Sequence, residues 1–130
     1  MADWKDIGVD NFRTAVLLFE NKKYRSATSR FYYAVFSVIT HELIQRNASP
    51  DFGQGRATPS HAQVGTLVDR YFVHFSEERR RNFVRRVNNI YRDRLGADYS
   101  LLRIDKAAAK ETYRLSESIF RYLGVSYEQK

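Results

Sequence analysis

The chain contains no cysteine. That excludes a disulfide framework, thiol chemistry and any cysteine-ligated zinc or iron–sulfur centre. Only two prolines and six glycines occur in 130 residues, so few positions force the backbone to turn. No apolar run approaches the roughly 20 residues that cross a bilayer. The opening stretch, MADWKDIGVD, carries acids where a secretory leader needs a basic start and a greasy segment. The expected setting is cytoplasmic, with no membrane partner. Short alternating β-branched runs bounded by tight turns are nearly absent, which argues against a sheet. There is no internal repeat, no Gly-rich phosphate loop and no nucleophile elbow. The three histidines, His41, His61 and His74, include no pair at i, i+3 or i, i+4. No histidine-based metal site and no cofactor are therefore expected.

What is present is ample apolar and aromatic material, 43% and 15% of residues. That is enough for one core in a single domain over residues 1–130. The net charge is +7, and arginine outnumbers lysine sixteen to six. Arginine is always ionised and offers a planar fork of donors that suits phosphate and stacked bases. Charge alone leaves two readings open, a nucleic-acid or other polyanionic partner and a plain basic surface.

Pro50 and Pro59 bracket Gly53 and Gly55, so residues 48–59 form the main loop. Helical periodicity surrounds it. One helix is expected over 4–20, with Ile7, Phe12, Ala15, Leu18 and Phe19 as its stripe. Asn21-Lys22-Lys23 makes a polar turn into a second helix over 24–45, which buries Ala27, Phe31, Ala34, Val38 and Leu43. A short third helix starts after Pro59, where Ser60 and Gln63 fit a capping box, and continues to Tyr71. The fourth, capped by Ser76, runs to about Arg94 with Phe83, Val87 and Ile90 inward, and Gly96 reads as its stop. The fifth covers 105–123 with Ala107, Ala108, Tyr113, Ile119, Phe120 and Leu123 inward and Gly124 as its C-terminal stop. The expected fold is all-α, an up-and-down bundle of four long helices plus one short helix.

The densest chemical signal is the fourth helix. Residues 76–94 hold seven arginines and three acids. Arg81, Arg85 and Arg92 fall at i, i+4 and i+11 on one face with Asn88 between them, opposite the apolar stripe. Such a face can track a phosphate backbone. Arg94 instead continues the inward row, where an arginine needs a carboxylate, and Asp98 stands nearest. The pair is either a structural lock or the mouth of a polar pocket. On the second helix Ser29, Arg30, Tyr32 and Tyr33 interleave with small and aromatic residues. Polar groups there need partners, which Arg94, Asp98 and Tyr99 can supply. His61, beside the Pro/Gly loop, is the histidine best placed for a functional role.

Three motifs in order, Ala27-x-x-Arg30-x-Tyr32-Tyr33-Ala34-x-Phe36, Ser60-His61-x-x-Val64 and Arg94-x-x-Ala97-Asp98-Tyr99, resemble the HEPN family over about residues 5–123. The resemblance implies a helical bundle that forms homodimers. It also implies a role in prokaryotic defence or toxin–antitoxin systems, in many members as a metal-independent endoribonuclease. It further implies a nucleotidyltransferase or other defence-system protein as partner. The family motif is an arginine, four to six residues, then a histidine, often followed by x-Tyr. Setting Tyr99 on the motif tyrosine puts Arg92 at the arginine and Ala97 at the histidine, and no histidine follows His74.

The site residues so implied are Arg92, Arg94, Asp98 and Tyr99 for catalysis, and Arg30, Tyr33, Arg81, Arg85, Asn88 and His61 for RNA or nucleotide binding. RNA cleavage through the 2′-hydroxyl asks for a base and an acid near neutral pH. Two readings follow: a ribonuclease using Asp98 and Tyr99, or a non-catalytic module working through self-association and a protein partner.

Overall fold

The computed structural model describes residues 3–100 and 103–128, and every regular element among them is helical. Five α-helices follow in order: α1 (Trp4–Glu20), α2 (Tyr24–Gln45), α3 (His61–Tyr71), α4 (Glu77–Tyr99) and α5 (Lys106–Tyr122). Side-chain caps set their starts. Asp3 accepts from the Asp6 amide and Asp6 answers back, and Asp105 accepts from the Ala108 amide. Ser60 and Gln63 form the expected capping box, and Ser76 accepts from the Arg79 amide. Gly124, at φ +67°, ends α5 in the left-handed conformation that glycine adopts freely.

Helix α2 is the axis of the bundle. It packs along α1 and also meets α3, α4 and α5, and eleven of its residues are buried. The close approach of α1 depends on Gly8. A Cβ there would stand 2.6 Å from Val38 Cγ1 and 3.0 Å from the Ala34 carbonyl oxygen. The core is strongly aromatic. Phe12 meets Phe31 edge-on at 5.2 Å and stacks on Tyr127 at 4.0 Å. Phe52, Phe72, Phe83 and Phe120 are also fully buried or nearly so. Edge and offset contacts of this kind add about 0.5–1.5 kcal/mol per pair beyond the area buried.

Several expectations are corrected. Gly96 does not end the fourth helix; α4 runs through it to Tyr99. The reason is a cap supplied from far away in sequence. The Arg25 guanidinium, from the first turn of α2, donates to the carbonyls of Ala97 and Ser100. These are C-terminal carbonyls that no basic residue of α4's own last turn could reach. In α5 Ile119 and Phe120 are buried and Tyr113 and Leu123 pack against the core as expected, but the first turn differs. Ala107 and Ala108 face solvent, whereas Ala109 and Thr112 are buried. Ile7 is exposed and lines a groove. Within the 48–59 loop, Ser49–Phe52 forms a 3-10 turn whose Phe52 is fully buried. Asp51 ties this turn to α3 through Tyr71 and Arg70.

Candidate functional site

The C-terminal half of α4 places Arg94 and Asp98 one helical turn apart. Their side chains form an ion pair, Nε to Oδ2 at 2.9 Å, only 16% and 27% exposed. Residues four apart on a helix are neighbours, so the pair lies within one helix and spans no break. Arg94 Nη2 also donates to the Tyr33 hydroxyl at 2.9 Å. The guanidinium carbon sits 5.5 Å from the ring centroids of Tyr32 and Tyr33 and 5.6 Å from that of Tyr99. Two consecutive tyrosines of α2 and the last residue of α4 thus cage one cation, a geometry in which ring quadrupoles attract charge.

The three tyrosines are not equivalent. Tyr32 is buried, and burial pushes its hydroxyl up to about 12, so it stays neutral. Tyr33 and Tyr99 are open, 42% and 74% exposed, and can meet a ligand. Tyr33 and Asp98 also border a groove of about 790 Å³ between α1, α2 and the end of α4. Arg30 lies on its wall, held by Asn11 Oδ1 at 3.2 Å, and Trp4 and Ile7 close its far side. The site therefore combines a caged guanidinium, a carboxylate, two accessible phenols and a second arginine.

Arg92 lies elsewhere. Two residues from Arg94 on a helix means about 200° around the axis. Arg92 lines a second groove, about 620 Å³, between α3 and α4, together with Arg81, Arg85 and Asn88. Arg81 is engaged by Glu77 at 3.0 Å. His61 stands at the edge of this second groove. Its Nε2 lies 3.1 Å from Asn88 Oδ1, and its ring stacks on Tyr91 at 3.6 Å with the planes 9° apart. Tyr91 in turn packs on Tyr32 at 5.4 Å. A wall of rings thus separates the two grooves, and burial holds the His61 imidazole below its ordinary value.

The candidate residues accordingly fall into two groups. Arg30, Tyr33 and Asp98 line the first groove, with Arg94 joined to Tyr33 and Asp98 and Tyr99 against Arg94; Arg81, Arg85, Asn88 and Arg92 line the second, with His61 against Asn88. Two contributors escaped the sequence reading. Arg25 supports the turn that carries Asp98 and Tyr99, and nothing local to either segment signals that contact. Tyr91 at least stands one residue past Ile90, on the margin of the apolar stripe. Among the described residues no three His, Asp or Glu side chains come together as metal ligands do, and no helix is long and apolar enough to cross a membrane.

Comparison with known proteins gives a consistent picture. The model of the HEPN domain matches residues 1–126. A protein of Methanocaldococcus jannaschii named as a candidate toxin, MJ0605, is 34% identical over 97 residues. That stretch covers 73% of this chain but 64% of the relative, so this chain spans somewhat under two thirds of that protein's length. No solved structure matches.

Proposed function

This chain belongs to the HEPN family, and from that premise we propose that it is a toxin of the toxin–antitoxin type that acts on RNA at the Arg94 groove. The observation that carries the reading is the caged Arg94 beside Asp98, with Tyr33 and Tyr99 open to a ligand. The similarity to a candidate toxin supports the biological role.

The chemistry assigned to the site is transesterification without a metal. Arg94 and Arg30 hold the scissile phosphate. Asp98 accepts the proton of the 2′-hydroxyl as its oxygen attacks phosphorus. The bond from phosphorus to the 5′-oxygen breaks, and Tyr99 gives that oxygen its hydroxyl proton. The products are a 2′,3′-cyclic phosphate and a free 5′-hydroxyl; Asp98 then releases its proton to solvent and the Tyr99 phenolate takes one up, which restores the site. Phenols and carboxyls as classes are less suited to acid–base work near neutral pH than histidines, so a slow enzyme is expected.

One observation favours a second reading. The cage holds no histidine, and Asp98 is tied to Arg94, an arrangement equally able to bind RNA or a nucleotide without cleaving it. The chain would then act by self-association and through a partner protein such as a nucleotidyltransferase antitoxin. The exposed Ile7, Tyr33 and Tyr99 beside the groove offer apolar surface for either contact.

The deciding experiment incubates a mixed RNA pool with purified protein in EDTA, beside Asp98→Asn and Arg94→Ala, with circular dichroism on each. Cleavage by the wild type that folded Asp98→Asn loses supports the enzyme. A folded wild type that binds RNA and leaves it intact rules out the ribonuclease and leaves the binding module.

A further inference from the structure

The second groove is built differently from the first, and its parts have a job the Arg94 site does not need. Asn88, Arg85 and Arg92 all face solvent along one side of α4. The Arg85 guanidinium donates from Nη1 to Asn82 Oδ1 at 3.2 Å, which leaves its other N–H groups for a ligand. Arg92 makes no ion pair or hydrogen bond with any described residue. Asp69 is the one acid on the groove's wall, and it is drawn to Arg80 at 3.5 Å. With Arg81 paired to Glu77, Arg85 and Arg92 are the arginines of this groove's lining that no carboxylate pairs among the described residues. Arg85 and Arg92 are seven residues apart, about 10 Å along the helix axis. That separation exceeds the reach of a single phosphate and suits an extended backbone.

Asn88 stands between the two arginines, and its amide has two possible orientations. His61 decides which. An amide oxygen only accepts, so a His61 Nε2 that carries the proton holds Asn88 Oδ1 toward it, at 3.1 Å. In the neutral ring Nδ1 is then a bare lone pair, and that atom is buried without a partner. A proton on it would have no acceptor, so the ring is locked in the Nε2–H form. The stack on Tyr91 fixes its plane. With Oδ1 turned to His61, the Asn88 NH₂ donors point away from the imidazole and are left for the groove.

We propose that the α3–α4 groove is a second, separate site for the phosphodiester backbone of single-stranded RNA. In it Arg85, Asn88 and Arg92 present donors in sequence, and His61 is a positioning residue that fixes the Asn88 amide. The proposal rests on the reading of this chain as an RNA-acting protein and adds where the strand lies beyond the Arg94 site. It also assigns His61 to strand holding and away from proton transfer.

The test is fluorescence anisotropy with a labelled single-stranded RNA oligonucleotide across a salt series, on the full chain. Removing one phosphate-binding cation lowers the slope of log K against log salt by about 0.7 for a single strand. Arg85→Ala/Arg92→Ala is expected to take about 1.4 from the slope, twice that single-strand value. Asn88→Asp, which puts a carboxylate between the arginines, is expected to weaken binding at every salt concentration. His61→Leu should behave like Asn88→Ala, whereas His61→Gln, which can still donate to Asn88, should retain most of the affinity. Free nucleoside monophosphates are expected to compete poorly, because one phosphate cannot span both arginines.

A folded Arg85→Ala/Arg92→Ala with the wild-type slope overturns the proposal, and if Arg94→Ala in the same series does change the slope, the reading of the Arg94 site survives. Normal groove-dependent binding by a protein that never cleaves RNA removes the nuclease reading and leaves the groove standing. A wild type that binds no RNA at all refutes both. Equal weakening in His61→Gln and His61→Leu, with the arginine effects intact, removes only the role given to His61.

Discussion

Replacing Arg25 by alanine should loosen the end of α4 without unfolding the protein. The Arg25 Nη1 group donates to the carbonyls of Ala97 and Ser100 and lies 3.4 Å from that of Gly96. A hydrogen bond from a charged donor contributes about 1.5–3 kcal/mol net. These bonds share one nitrogen, so the clamp as a whole is taken as about 2 kcal/mol. Without it the last turn carries the helix penalty of Gly96, about 1 kcal/mol against alanine, with no compensating cap. A change of about 2 kcal/mol raises the open population about 30-fold. Hydrogen exchange read by mass spectrometry should show that acceleration at amides 97–100 and little change at residues 83–90. The corresponding fall in Tm has a ceiling of about 7 °C for a chain of this length. Asp98 and Tyr99 ride on the loosened turn, so toxicity or RNA cleavage should drop although neither residue is altered. Arg25→Lys, keeping the charge but not the planar fork, should lie between. Unchanged exchange at 97–100 in a folded Arg25→Ala would refute the reasoning, as would a collapse of the whole fold.

Three further outcomes are expected. Gly8→Ala gains about 1 kcal/mol of helix propensity but pushes a methyl against Val38 and the Ala34 carbonyl. Overpacking of that kind costs about 1–3 kcal/mol, so a net loss of up to about 2 kcal/mol should appear in urea denaturation, and a variant more stable than wild type would contradict the close approach. Burial raises the Asp93 carboxyl although Thr112 donates to it at 2.8 Å; the unfolded chain therefore ionises first, and stability falls as pH rises from about 4 through the folded value. Asp93→Asn should accordingly be more stable than wild type at pH 7 and lose that advantage below about pH 4. His61 shows the opposite sense for a base, since its folded value lies below 6.5. Its contribution is complete above 6.5 and is lost as pH falls from there toward the folded value, and an NMR titration placing the ring at or above 6.5 would refute the buried, neutral assignment.

Much of the bundle was legible because its signals are local. Ser60 and Ser76 are near-neighbour caps, and the Phe83–Val87–Ile90 row is simple periodicity. The misreadings come where a partner distant in sequence overrides a local rule. Gly96 reads as a stop because glycine weakens helices, yet Arg25, some seventy residues earlier, supplies the missing cap. Gly8 carries no signal within α1 itself, and only the nearness of α2 reveals it as the residue that lets the helices touch. The Arg94–Asp98–Tyr99 motif and the Arg81–Arg85–Arg92 face were both visible as patterns. Their division between two grooves was not, because it depends on α3 lying along one side of α4 and α2 along the other. His61 shows the same limit: its spacing to Asn88 carries no signal until the two helices are docked.

The unbroken course of α4 has a mechanical consequence. Arg92 and Arg94 are mounted on opposite sides of one stiff rod. Rolling that rod about its long axis carries one guanidinium deeper into its groove and lifts the other out. A molecule that binds one groove more tightly at one setting of the roll would favour that setting, and so change the hold on whatever occupies the other groove. Such a bias is reciprocal by thermodynamic necessity. On such a rod the two sides of this small bundle would act as the two arms of a balance, with the helix itself as the beam.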